Sequence, residues 1–126
     1  MSDHCRTELV VNDDPRLVRA IASVVEHAGH RAGLSEAAQK QLAAAAEDAC
    51  REAFPLVNGR ERAVKFCVQD FDDRVEVVIE HAGGKSAPPT PVINAKVASK
   101  VDSVKQESHG KVHRVTLIKY LRSEGR

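Results

Sequence analysis

Aromatic residues are scarce in this chain of 126 residues, which has three Phe, one Tyr and no Trp. An excess of charge is also missing, because 19 basic residues nearly balance 18 acidic ones and leave a formal net charge of +1. Proteins that bind nucleic acid normally present a basic surface, and those that hold single strands add aromatic side chains for stacking. Direct binding of nucleic acid is therefore not expected.

Cysteine and long apolar runs are equally sparse. The three cysteines, Cys5, Cys50 and Cys67, are scattered and form no Cys-x-x-Cys pair, which argues against a disulfide framework. No apolar run approaches the ~20 residues of a membrane-spanning helix, and residues 1–10 carry charges where a secretory signal would be apolar. We therefore expect a cytoplasmic protein that does not enter a membrane.

The remaining composition is typical of an ordinary folded domain. Hydrophobic residues make up 42% of the chain and charged residues 29%, which is far from the composition of disordered chains. The length suits one core, and no repeat or linker divides the sequence. We therefore predict a single domain over residues 1–126.

The first half of the chain predicts one strand followed by two helices. Residues 7–11 form a short apolar run, and Asp14 can cap a helix over about 15–29 that opens with a proline. Ser35 can cap a second helix over 36–54. Apolar residues recur at one-face helical spacing in both, namely Leu17, Ile21, Val24, Val25 and Ala28 in the first and Leu42, Ala45, Ala46, Ala49 and Ala53 in the second.

The second half changes to a β-rich pattern. Four stretches favour strands that pair as two hairpins: 63–70, 74–81, 101–108 and 111–121. Residues 83–91 hold three prolines and predict a loop, and 92–101 can form a short helix. The order β-α-α-β-β-α-β-β predicts an α+β, two-layer sandwich, with a mostly antiparallel five-stranded sheet and helices on one face.

Three strings, spread over nearly the whole chain, carry a family resemblance. They are "ELVVNDDPRLVRAI" at 8–21, "EDACREAF" at 47–54 and "VDSVKQESHGKVHRVTLIKYL" at 101–121. In order and spacing they resemble the anti-sigma-factor serine kinases. That family is a branch of the ATPase fold shared by gyrase, heat-shock chaperone and histidine-kinase ATP domains. The resemblance implies the histidine-kinase-like ATPase fold for this chain.

The nucleotide-site motifs of that family are only partly kept. Its second helix carries an acidic general base and, one turn later, an asparagine that holds Mg²⁺; Asp48 matches the base, and Glu52 replaces the asparagine. A second carboxylate near triphosphate oxygens makes a metal site less favourable. The family's Asp-x-Gly, which contacts adenine, corresponds to His81, Ala82 and Gly83. A neutral imidazole can accept that hydrogen bond in one tautomer only.

The family's mobile lid, which closes over the phosphates, is essentially missing. Only residues 83–91 lie between the third strand and the next helix, and the three prolines there lack N–H donors. Asp48, Glu52, His81 and Gly83 are thus interpreted as vestigial nucleotide-site positions. We expect no confident catalytic residue, no metal and no bound cofactor.

The resemblance implies two functions of different classes. The first is a regulatory protein-binding module that sequesters a sigma factor or binds a STAS-type antagonist in partner switching, without kinase activity; Arg16 and Arg19 are candidate partner contacts. The alternative is a divergent ATP-dependent serine/threonine kinase acting on that antagonist, with Asp48 as base and Glu52 on Mg²⁺. The sequence does not separate the first function from a scaffold subunit, and a homodimer is compatible with each.

Several of these residues also have a purely structural interpretation. Asp48 and Glu52 can be a solvated helix flank paired with Arg51 and Lys40, and His81 can be a simple strand-end histidine. His27 and His30 have ligand-like spacing but no third ligand, so we interpret them as helix-end histidines. Cys50 and Cys67 fit small core positions. Lys119, Arg122 and Arg126 are expected to form a solvated basic tail.

Overall fold

The computed structural model describes residues 6–11, 14–53, 64–82, 95–110 and 112–121. Eight helices and strands follow one another within these ranges: β1 (Arg6–Val11), α1 (Pro15–Ala32), α2 (Glu36–Ala53), β2 (Val64–Asp70), β3 (Arg74–Ala82), α3 (Ala95–Ala98), β4 (Ser103–His109) and β5 (Val112–Tyr120). Their order is the predicted order. The predicted loop at 83–91 lies outside the described residues.

The five strands form one sheet in the order β1-β2-β3-β5-β4, and every neighbouring pair is antiparallel. α1 and α2 pack against each other and against the sheet. Side chains alternate across the strands, so β2 turns Phe66 toward the helices and Cys67 away from them. The fold is therefore α+β, with a five-stranded antiparallel sheet and a helical layer on one face, as the sequence predicted.

The start and end of α1 are determined by local hydrogen bonds. The Asp14 carboxylate accepts a bond from the Arg16 amide at 2.9 Å, which caps the helix as predicted. The helix ends at Gly33, which adopts φ +103°, and the Gly33 amide donates to the carbonyls of Gly29 and His30. α1 is therefore three residues longer than expected, because Gly33 and not Gly29 takes the left-handed conformation.

α2 begins at the predicted cap, since the Ser35 hydroxyl accepts a bond from the Ala38 amide at 3.1 Å. Its small residues allow close packing, and a Cβ at Gly29 on α1 would lie 3.2 Å from the Gln39 side chain of α2. In α1 the buried stripe differs by one residue from the prediction. Leu17 is 37% exposed, and Val18, at 2%, occupies the core in its place.

The core lies between the helices and the inner face of the sheet. Its largest fully buried side chains include Phe66, Ile21, Leu42, Ile79 and Leu117. Burial of one such side chain contributes roughly 1.5–3 kcal/mol before entropy is subtracted. α3 ends at Ala98, three residues before the predicted end, because the chain then turns into β4. No described helix is both long and apolar enough to cross a bilayer.

Candidate functional site

Asp48, the residue at the vestigial base position, lies on the flank of α2 next to α3. Its carboxylate accepts a hydrogen bond from the Lys100 ammonium at 2.8 Å and a longer one from Arg51 at 3.5 Å. Both members of the Asp48–Lys100 pair are less than a third exposed. The predicted contact with Arg51 is confirmed, whereas Lys100 is 52 residues away in sequence and was not foreseen.

Lys100 also links this pair to the end of the sheet. Its carbonyl accepts a bond from the Lys119 ammonium at 3.4 Å, and the same ammonium donates to the Gln41 side chain at 2.9 Å. α2, the turn after α3 and β5 are thereby joined. The interpretation of Lys119 as part of a solvated tail was wrong, because its side chain is half-buried against α2; Arg122 and Arg126 lie outside the described residues.

Glu52, at the position of the family's metal-binding asparagine, lies one turn beyond Asp48 with an exposed side chain. Arg51 stands between the two carboxylates in sequence and pairs with both Glu47, at 3.2 Å, and Asp48. Asp48 and Glu52 therefore do not converge on an open pocket in the described structure. One is bound by cations, and the other faces solvent.

His81 lies at the end of β3 on the helix side of the sheet and is 6% exposed. It pairs in register with His113 on β5, with ring centroids 5.3 Å apart. Its Nδ1 has no hydrogen-bond partner among the described residues, whereas His113 Nδ1 shares a 2.8 Å hydrogen bond with the Ser108 hydroxyl. Burial, followed by the neighbouring His113, holds the pKa of His81 below its usual value.

The position of His81 at the strand end agrees with the prediction, but its burial was not anticipated. An imidazole that is buried and packed against a second imidazole fits a structural role better than a role in binding a ligand. Gly83, the last residue of the vestigial Asp-x-Gly, lies outside the described residues. Within the described part of the chain, no three His, Cys, Asp or Glu side chains form a group that could hold a metal ion.

Neither described cysteine is poised as a nucleophile. Burial among α2 neighbours and the nearby Glu47 raise the pKa of the Cys50 thiol to about 12, and burial also raises the pKa of Cys67. Cys50 is a core residue as predicted. Cys67 is buried too, but it lies on the sheet face opposite the helices, beneath the long side chains there.

That outer face of the sheet forms a shallow depression of about 590 Å³ lined mainly by polar side chains. One cross-strand row on it alternates in charge: Lys65, Glu80, Arg114 and Glu107 lie on β2, β3, β5 and β4. Arg114 binds Glu80 at 2.6 Å and lies 3.9 Å from Glu107. Within this row the two positive and two negative side chains balance one another.

The two arginines predicted as partner contacts both lie exposed near the start of α1. Arg16 folds back on Asp14, with Nη2 3.1 Å from the carboxylate, and its side chain is still 88% exposed. A different surface lies at the other end of α1, where a depression of about 320 Å³ separates this helix from β1 and β2. This depression could not be predicted from local sequence patterns, since its walls come from β1, α1 and β2.

The positions singled out from the sequence therefore do not assemble into a nucleotide pocket within the described residues. Three depressions are lined by described residues, and none of these three includes Asp48, Glu52 or His81. The accessible surfaces include the outer face of the sheet and the outward side of α1 with the depression beside it. No protein-family model matches the chain, and no curated protein is significantly similar to it.

Proposed function

We propose that this chain is a cytoplasmic regulatory domain with the histidine-kinase-like ATPase fold that works by binding other proteins. In this proposal it resembles an anti-sigma factor and sequesters a sigma factor, or binds a STAS-type antagonist, without phosphorylating it. The order of helices and strands and the helical layer over an antiparallel sheet support the fold. The ion pair between Asp48 and Lys100 is the observation that supports the loss of catalysis.

A general base must have a lone pair free to accept the proton of the attacking hydroxyl. Two cations already hold the Asp48 carboxylate: it accepts hydrogen bonds from the Lys100 ammonium at 2.8 Å and from Arg51 at 3.5 Å, which occupy one acceptor site on each oxygen. Lys100 would have to leave the Asp48 carboxylate before its ammonium could approach the phosphates of a nucleotide. Glu52, one turn later, adds a negative charge where phosphoryl transfer needs charge neutralisation.

The adenine-recognition position supports the same proposal. A carboxylate there would accept the hydrogen bond of the adenine amino group, whereas His81 is 6% exposed and packed against His113. An imidazole with this little exposure offers a ligand little accessible surface. A surface that remains usable is α1, whose exposed Arg16 and Arg19 are of the residue type enriched at protein interfaces.

A nucleotide titration followed by thermal unfolding tests the proposal directly. A ligand at 100 times its Kd stabilises a protein by about 2.7 kcal/mol, which for a domain of this size raises Tm by roughly 10 °C. We expect no shift with 5 mM ATP and Mg²⁺, and a 1:1 complex with a sigma factor or STAS protein identified by co-purification. A clear shift with ATP would overturn the proposal.

The alternative, a divergent serine/threonine kinase, uses the same residues in an active role. It requires Asp48 to leave Lys100 and serve as the base, with Glu52 on Mg²⁺. Radiolabelled ATP and the captured STAS protein distinguish the two functions. Phosphoserine formation that disappears in the Asp48→Asn variant would establish the kinase, and size-exclusion chromatography with light scattering on the same sample measures whether the chain dimerises.

A further inference from the structure

The sheet has two edge strands, β1 and β4, and they differ in how well they are protected from further pairing. Among the described residues each pairs with one neighbour only, so alternate residues direct their backbone N–H and C=O groups away from the sheet. On β4 the exposed side chains include Lys105, Glu107 and His109. Charged side chains of this kind discourage the addition of another strand to an edge.

The second half of β1 lacks this protection. Leu9, Val10 and Val11 carry no charge, and Val10 is 72% exposed, the highest value for a large hydrophobic residue in the described part of the chain. β1 contains no proline or lysine, and its register with β2 runs through six consecutive pairs without a bulge. An even, apolar edge is a template for pairing with another strand.

The helical layer also stops short of β1. α1 packs over β2 and β3, and the groove beside α1, the depression of about 320 Å³ already described, lies between this helix and the edge. Val24 and Ala28 form its wall, and Val68 on β2 forms its floor. Thr7 and Leu9, which lie on the helix side of β1, are only half-buried. The apolar interior therefore continues to the edge and remains open there.

Two features of this edge select an occupant. The free backbone groups of β1 require an extended chain, and the open groove requires apolar side chains at alternate positions of that chain. β1 itself has this pattern, because Leu9 and Val11 contact the core from its helix side. A second copy related by a two-fold axis would also cover both unprotected edges with a single interface.

We propose that two copies of the chain pair antiparallel through β1 about a two-fold axis, which joins the two five-stranded sheets into one sheet of ten strands. No charge or nucleotide is needed for this assembly. The inference goes beyond the proposed function, since it applies whether or not the chain binds a sigma factor or a STAS protein.

The register of the pairing follows from the alternation of side chains. Opposed residues of antiparallel strands lie on the same face, so pairing of five described residues per strand leaves Glu8 or Leu9 at the axis. With Glu8 there, two carboxylates would face each other, which is destabilising. With Leu9 there, Leu9 meets its own copy, the stem of Glu8 covers Val10, and Val11 lies opposite Thr7 at the open side of the groove.

Sedimentation velocity of the full chain measures the assembly. One strand pair with its flanking side chains is a small interface, below about 1,200 Å², so we expect a reversible dimer of roughly micromolar Kd. Val10→Lys brings an ammonium group to each edge and should weaken the dimer about tenfold or more. The matched control is Val112→Lys, an exposed valine on the same sheet face but on the interior strand β5, which should dimerise like the parent.

A disulfide trap measures the register, in a Cys5→Ser background that keeps only the buried Cys50 and Cys67. Leu9→Cys brings two thiols together at the axis, where opposed Cα atoms are close enough for a disulfide. Mild oxidation should therefore give a covalent dimer on a non-reducing gel, whereas Glu8→Cys should give little. Circular dichroism and thermal unfolding verify that each variant folds.

A chain that stays monomeric up to about 300 µM, far above the expected Kd, would overturn the inference. So would a dimer that Val10→Lys leaves intact. Covalent dimer from Glu8→Cys but not from Leu9→Cys would overturn the pairing about Leu9. A monomer from which Val10→Lys releases a co-purified protein would assign the edge to a strand of that protein and exclude the second copy. The nucleotide titration tests the proposed function separately from all of these outcomes.

Discussion

Replacing Lys100 by Met should uncover the carboxylate of Asp48 and thereby test the main argument against catalysis. The substitution keeps most of the side-chain stem and removes only the ammonium that lies 2.8 Å from Asp48. Arg51, at 3.5 Å and more exposed, remains as a poorer partner. The change thus isolates one ion pair that links α2 to the turn after α3.

The expected magnitude follows from the burial of the pair, whose side chains are 28% and 29% exposed. Fully exposed pairs contribute roughly 0.2–1 kcal/mol, and breaking fully buried ones costs roughly 3–5 kcal/mol. After allowance for solvent screening we expect Lys100→Met to lower the free energy of unfolding by about 1 kcal/mol. That loss corresponds to a decrease in Tm of roughly 3–5 °C.

A double-mutant cycle gives the coupling itself. Urea unfolding of Lys100→Met, Asp48→Asn and the double variant should yield a coupling of about 0.5–1 kcal/mol, which declines as salt is added. Arg51→Met in place of Lys100→Met serves as the control and should couple to Asp48 more weakly. A coupling below about 0.2 kcal/mol between Asp48 and Lys100 would refute the reasoning, because the carboxylate would then be free to act as a base.

Three further predictions concern the fold around the site. The pKa of His81 is lowered in the folded protein, so the unfolded chain binds an extra proton as the pH falls below ~6.5. The free energy of unfolding should therefore decrease on acidification, by up to about 1.4 kcal/mol per pH unit. His81→Leu should flatten this pH dependence, which urea titrations from pH 8 to 5 measure. Gly33→Ala, at φ +103°, should lower the free energy of unfolding by about 1 kcal/mol, whereas exposed Ala37→Gly, as a comparison, tests ordinary helix propensity. Phe66→Ala, at 0% exposure, should cost about 3–5 kcal/mol, and a loss under 1 kcal/mol by the same measurement would contradict the assignment of Phe66 to the core.

Local signals account for most of the secondary structure that the sequence predicted. Asp14 and Ser35 cap their helices through bonds to residues two and three positions away, and Gly110 turns the last hairpin with φ +63°. Helix caps and turns of this kind can be predicted from a few consecutive residues. The end of α1 was harder to predict, because both Gly29 and Gly33 could have ended it, and of the two it is Gly33 that adopts a positive φ, +103°.

Long-range contacts account for what the sequence could not predict. Nothing near Asp48 indicates that Lys100 will bind it, since the pairing depends on how α3 is placed over α2. The burial of His81 similarly depends on β5 pairing with β3, which brings His113 alongside. The groove beside α1 is formed by residues that are some 60 positions apart, such as Thr7 and Val68, and becomes visible only once β1 pairs with β2.

The alternating charges on the outer face of the sheet have a consequence for how the strands align. If β3 slipped by one residue against β5, Glu80 would turn into the core and a valine or isoleucine would turn out to water. If it slipped by two, Glu80 would leave the guanidinium of Arg114, which it now binds at 2.6 Å. The row of charges from Lys65 to Glu107 therefore favours the observed register of the strands over registers shifted by one or two residues.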